Sequence, residues 1–246
     1  IEEYIEEGLY FTINRARQFG KTTTMDSLFR LLSDKYFMIK ISFEGLGEED
    51  YREGRLFLSE FQKILVKKIK TVSPDLADFW KTPALSFGDL SQKVYDFCKL
   101  VNKPVVLMID EVDKSQNNQL FLDLLGMLRN LYLERSESGD MHSTFHSVIL
   151  AGVYDVKNLK IKLRPDEERK YNSPWNIAAK FNVDMTFHPD EIITMLNEYD
   201  ADYQTGMDKA FIANEIYKYT NGYPYLVSCI CSLIDKELEK DWSEKG

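Results

Sequence analysis

The run "PVVLMIDEVD", residues 104–113, constrains the fold of this chain more than any other stretch. Val105 to Ile109 are apolar without alternation, so a strand here has no face that can meet water and must be covered on both sides. That is the environment of a parallel strand inside an α/β sheet. Four further runs read as strands: "LYFTI" (9–13), "YFMIKIS" (36–42), "HSVILAG" (146–152) and "FNVDMTF" (181–187). Between them apolar residues recur at helical spacing. Leu58, Phe61, Leu65, Ile69 and Val72 form one stripe; Phe87, Leu90, Val94, Phe97 and Val101 form another; Leu120, Phe121, Leu124, Leu125, Leu128, Leu131 and Tyr132 form a third, broader one. Alternating strands and helices predict an α/β fold with a five-stranded, mostly parallel sheet, doubly wound through right-handed crossovers.

From His188 onward the strand signals cease. "HPDEIITMLNEY" begins with proline and acids, as helix N-termini do, and two more helical patterns follow in "DKAFIANEIYKYT" and "YPYLVSCICSLIDKELEK". Residues 1–187 are therefore expected to form the core and residues 188–246 a small α-helical lid domain. The 44% hydrophobic content can fill such a core. Ile1, rather than Met, at the start reads as a module cut from a longer chain.

The loop after the first strand carries the chemistry. "INRARQFGKTTT" places Gly20, Lys21 and Thr22 between a strand and a helix beginning with Met25, Leu28, Phe29 and Leu32 on one face. A phosphate-binding loop needs backbone N–H groups in a concavity, a helix N-terminus, a lysine for the β and γ phosphates and a hydroxyl for Mg²⁺. In the frame G-x-x-x-x-G-K-[ST] the leading glycine is replaced here by Arg15. The cradle would comprise Arg15, Ala16, Arg17, Gln18, Phe19 and Gly20, followed by Lys21, Thr22 and Thr23. An adenine nucleotide brings about four negative charges, which Arg15 and Arg17 can meet; either can equally salt-bridge to the lid.

"VVLMIDE" supplies the complementary acids. In P-loop enzymes a buried strand beside the loop strand ends in an Asp of the Mg²⁺ shell, and the next Glu activates water. Asp110 and Glu111 occupy those positions, giving Thr22 and Asp110 as metal ligands and Glu111 and Lys21 as catalytic residues. Asp113 reads as a helix N-cap. The three histidines, His142, His146 and His188, are too scattered for a zinc site. Cys98, Cys229 and Cys231 read as buried, inert thiols.

Together "YFTINRARQFGKTTT", "VVLMIDEVD", "SVILAGVYDVKNLK", "NSPWNIAAKF" and "TNGYPYLVS" resemble a family of bacterial AAA-like P-loop ATPases of uncharacterised role, related to the STAND class of signal-transduction ATPases. The resemblance implies a P-loop NTPase fold. The family's loop reads R-x-R-x-[FY]-G-K-[ST], so Arg15 follows its pattern. It also implies a G-x-P motif that packs against the base and senses nucleotide, matched by Gly222, Tyr223 and Pro224. A γ-phosphate sensor would fall beyond the fourth strand, where Asp155 stands. A catalytic arginine could stabilise charge at the γ-phosphate, with Arg129 on the helix after the acids and Arg164 on the loop beyond the fourth strand as candidates; the alternative reading of either is a surface residue. Relatives often carry a nuclease further along, but "PDEERK", with Glu168 and Lys170, lacks the strand setting a nuclease requires and reads as a solvated loop.

The chain is expected to be a cytoplasmic ATP-binding, Mg²⁺-dependent ATPase acting as a nucleotide-driven conformational switch. The rivals are a non-hydrolysing nucleotide-bound scaffold and the ATPase half of a nucleic-acid machine. A net charge of -9 disfavours nucleic acid. No stretch approaches the roughly 20 apolar residues of a membrane span, and the acidic start is unlike a signal peptide. The expected partners are ATP or ADP, an unidentified protein or fused effector domain, and a second copy of the chain.

Overall fold

The computed structural model describes residues 1–115, 118–140, 142–153 and 173–242; of Lys114 and residues 238–242 it describes the backbone only. The strands are β1 (Tyr10–Asn14), β2 (Phe37–Ser42), β3 (Val105–Asp110) and β4 (Ser147–Gly152). The helices are α1 (Glu2–Glu6), α2 (Lys21–Leu32), α3 (Gly54–Val72), α4 (Pro74–Ala77), α5 (Phe87–Leu100), α6 (Gln119–Ser138), α7 (Pro189–Tyr203), α8 (Lys209–Thr220) and α9 (Pro224–Trp242).

Among the described residues all four strands are parallel, in the order β1-β4-β3-β2. Every residue of β3 and β4 is buried, as their unbroken apolar runs require. The stripes of α3, α5 and α6 close over the sheet, bringing Phe57, Phe61, Leu65, Val94, Phe97, Leu124 and Leu128 into one core with Ile39, Leu107 and Leu150. Each such side chain contributes about 1.5–3 kcal/mol through burial. Trp80, in the connector after α4, joins the same core.

The sheet departs from expectation in two ways. Residues 181–187 form no strand: among the described residues the backbone pairs with the outer edge of β1 in one isolated bridge, where Ala179 N–H donates to Tyr10 O at 2.7 Å and Phe11 bridges Ala179. Beyond it, Asp184 Oδ1 accepts both the backbone N–H and the hydroxyl of Thr186. This local turn competes with a ladder for the same backbone groups. In addition, β3 does not lie beside the loop strand, because β4 is inserted between β1 and β3.

By internal packing the chain divides into two units. The first comprises Ile1–Arg15 and Lys21–Asn182, the second Ala16–Gly20 and Val183–Gly246. The core of the second contains Ile192 and Leu196 of α7, Ala213 and Ile216 of α8, and Val227 of α9.

Candidate functional site

Within the first unit, the carboxyl ends of β1, β3 and β4 and the start of α2 hold most of the candidate residues. Thr22 Oγ1 donates to Asp110 Oδ2 at 2.8 Å across 88 positions of sequence. The other Asp110 oxygen accepts the N–H of Glu111 at 2.9 Å. Asp110 is buried, which its two donors offset. Glu111 is half-buried and has φ 57°, a conformation uncommon for a residue with a side chain and characteristic of constrained sites.

Lys21 opens α2 with its side chain buried, and its ammonium donates to Arg15 O at 2.9 Å, closing the loop on its own first residue. Arg15 N–H donates to Gly152 O at the end of β4. The Arg15 guanidinium donates to Asn14 O at 3.0 Å and lies 5.3 Å from the centre of the Phe181 ring. That ring stacks on Phe11 of β1, so Arg15 is packed against the sheet edge. Its backbone does not enter the left-handed region; that conformation falls on Gln18 (φ 60°) and Gly20 (φ 74°). An arginine at the opening position is therefore conformationally unremarkable, whereas Gly20 meets a requirement of φ alone, since a Cβ there would touch nothing within 4 Å. Thr23 is exposed on the first turn of α2.

Asp113 does not cap a helix. It lies in a short 3-10 turn, Val112–Ser115, and its carboxylate accepts the backbone N–H of Val153 at 2.7 Å. The N-cap of α6 is Asn118, whose side chain accepts from Leu120 N–H. Arg129 Nε donates to Asn176 Oδ1 at 3.3 Å, a bond to the turn after residue 173. Asp155, Arg164, Glu168 and Lys170 lie outside the described residues.

Within the second unit, the loop residues meet the G-Y-P turn. Tyr223 donates its hydroxyl to Arg17 O, and its ring packs edge-to-face with Phe19 at 5.0 Å. Ala16 and Arg17 are exposed. Asn221 and Gly222 both have positive φ, and Gly222 O accepts from Phe187 N–H at 2.8 Å. A Cβ on Gly222 would lie 2.4 Å from Phe187 O, so space and conformation both require glycine. Pro224 follows as the first residue of α9, where its missing N–H costs nothing.

Sequence reasoning missed three of these contacts: Phe181 beneath Arg15, Tyr223 on Arg17, and Asp113 on Val153. Each joins segments far apart in sequence, and only Gly152, a glycine closing a buried strand, hinted at a close approach. Among the described residues no helix is long and apolar enough to cross a membrane, and no three His, Cys, Asp or Glu side chains cluster as a metal site. No curated protein matches the chain. A family model described as an AAA-like domain matches residues 1–241, from the helix before β1 to the last turn of α9. With a parallel sheet flanked by helices and a glycine-lysine loop between β1 and α2, the chain belongs to the AAA-like domain family and has the P-loop-like fold of a nucleotide-binding, ATPase-type module.

Proposed function

We propose that the chain binds ATP with Mg²⁺ and hydrolyses it, and that occupancy of the loop acts as a conformational switch. The observation that carries this reading is the 2.8 Å hydrogen bond from Thr22 to Asp110, which pairs a hydroxyl at a helix start with a buried carboxylate at a strand end. These are hard oxygen donors of the kind Mg²⁺ takes, and Mg²⁺ commonly uses one or two protein oxygens with water and phosphate completing its shell. Thr22 and Asp110 would hold the ion, which supplies charge neutralisation for the phosphates. Lys21, now donating to a carbonyl, exchanges that partner for phosphate oxygens at the start of α2. Glu111 orients and deprotonates the attacking water. The core is taken as residues 1–187 and the helical lid as 188–246, and the loop passes through both packing units. Slow turnover suits a switch of the STAND type.

Titration with a fluorescent ATP analogue and measurement of phosphate release test the proposal. Lys21→Ala is expected to weaken ATP binding by about 100-fold or more, because a charge-assisted contact to phosphate is lost. Glu111→Gln is expected to retain ATP and to lose about 100-fold in turnover. Equal ATP affinity in wild-type and Lys21→Ala protein would overturn the proposal.

A further inference from the structure

We propose that Asp113 is a positioning residue for the loop, setting the place of the Lys21 ammonium through the tip of β4. The proposal rests on the nucleotide reading above. Asp113 follows Asp110 and Glu111 in the turn after β3, yet its carboxylate bonds across to the next strand, accepting Val153 N–H with both oxygens at 2.7 Å. The preceding residue, Gly152, lies directly beneath it: a Cβ there would stand 2.6 Å from Asp113 Oδ1 and 3.0 Å from Val112 Cγ2. Gly152 has no positive φ, so its lack of a side chain serves this close approach.

The same glycine faces the loop on its other side. Gly152 pairs with Asn14 in the β1–β4 register, and its carbonyl accepts Arg15 N–H at 3.2 Å. Arg15 O in turn accepts the Lys21 ammonium at 2.9 Å. A continuous path therefore runs from the acidic turn that carries Asp110 and Glu111, through Asp113, Val153 and Gly152, to Arg15 and Lys21. It ties the lysine of the loop to the turn bearing the metal and water residues, although β1 and β3 are not neighbours in the sheet. An acceptor of backbone N–H at this point holds the β4 tip in one place, and Arg15, the first residue of the loop after β1, is hydrogen-bonded to that tip. Removing it frees the strand end without touching any group that meets nucleotide.

The test compares wild type, Asp113→Ala, Asp113→Asn and Gly152→Ala at a temperature where circular dichroism shows each fully folded, titrating ATP and AMP as competitors of a labelled ADP. Asp113→Ala is expected to lose about tenfold in ATP affinity, the scale of one charge-assisted hydrogen bond, with AMP affinity unchanged because AMP lacks the phosphates Lys21 reaches. Asp113→Asn keeps one acceptor oxygen and is expected to stay within about threefold of wild type. Gly152→Ala pushes on the same carboxylate from below and should reproduce the Asp113→Ala pattern, which decides the matter if Asp113→Ala does not fold. Unchanged ATP affinity in the variants, or equal losses for ATP and AMP, would overturn the proposal. If Lys21→Ala loses ATP while Asp113→Ala keeps it, only the positioning role fails; if wild type and Lys21→Ala bind ATP alike, the nucleotide reading itself fails.

Discussion

Gln18 and Gly222 both adopt left-handed backbone conformations, for different reasons and with opposite consequences. Gln18 carries a side chain in a region that costs L-residues about 1–2 kcal/mol, and it does so in the middle of the loop. Gln18→Gly is therefore expected to raise stability by about 1 kcal/mol in thermal melts. At Gly222 the strain is avoided only by glycine. Gly222→Ala would combine φ 71° with a Cβ 2.4 Å from Phe187 O, and an expected cost of about 2–4 kcal/mol can be read from the urea midpoint. The turn at Gly222, part of the G-Y-P motif, was legible because glycine tolerates positive φ. The conformation of Gln18 was not, since nothing in a glutamine announces it.

Local competition decided several elements. The run 181–187 has apolar residues at alternating positions, the pattern of a half-buried strand, but Asp184 supplies a turn of its own and the run leaves β1 after one bridge. At the start of α6, Asp113 reads as the cap because it precedes the helical stripe, yet Asp113 itself lies in a separate short turn, Val112–Ser115, and Asn118 caps the helix. Asn118→Ala should cost about 1 kcal/mol in chemical denaturation. In the helical unit, Asp200 of α7 accepts from the Thr205 hydroxyl, from Lys209 and from Gly206 N–H. The Thr205 hydrogen bond first, and then Lys209, hold its carboxyl down at about 2, against an ordinary value of 3.8. A depressed carboxylate stabilises the fold fully above its unfolded value and loses that contribution as pH falls through the folded one. The α7–α8 connection should therefore weaken between about pH 4 and pH 2. A thermal melt series is expected to show this slope in wild type and a flatter one in Asp200→Asn.

The first unit is tied together at the amino ends of its strands by one buried cation. Arg135 of α6 is 2% exposed and donates to the carbonyls of Phe145 and His146, which lead into β4, and of Gly8, which leads into β1. Its guanidinium also lies over the rings of Tyr10 and Tyr132. Arg135→Met should cost about 3 kcal/mol or more by urea denaturation, because three buried carbonyls lose their donor. Arg135→Lys should recover little of that loss, since one ammonium cannot reproduce the planar fork. The sequence alone did not reveal this anchor: Arg135 continues the helical spacing of Leu124, Leu128 and Leu131, but spacing names none of the carbonyls it serves. By itself the sequence determined what periodicity and short-range chemistry encode: buried parallel strands, amphipathic helices, and a glycine-lysine loop at a strand–helix junction. Tertiary structure alone decided the strand order that separates β1 from β3, the four described strands in place of five, and the bonds of Asp113, Tyr223 and Arg135 to residues far along the chain. The physical reason is that spacing fixes which face a side chain occupies, while its partner across that face is chosen by packing between segments that the sequence does not place side by side.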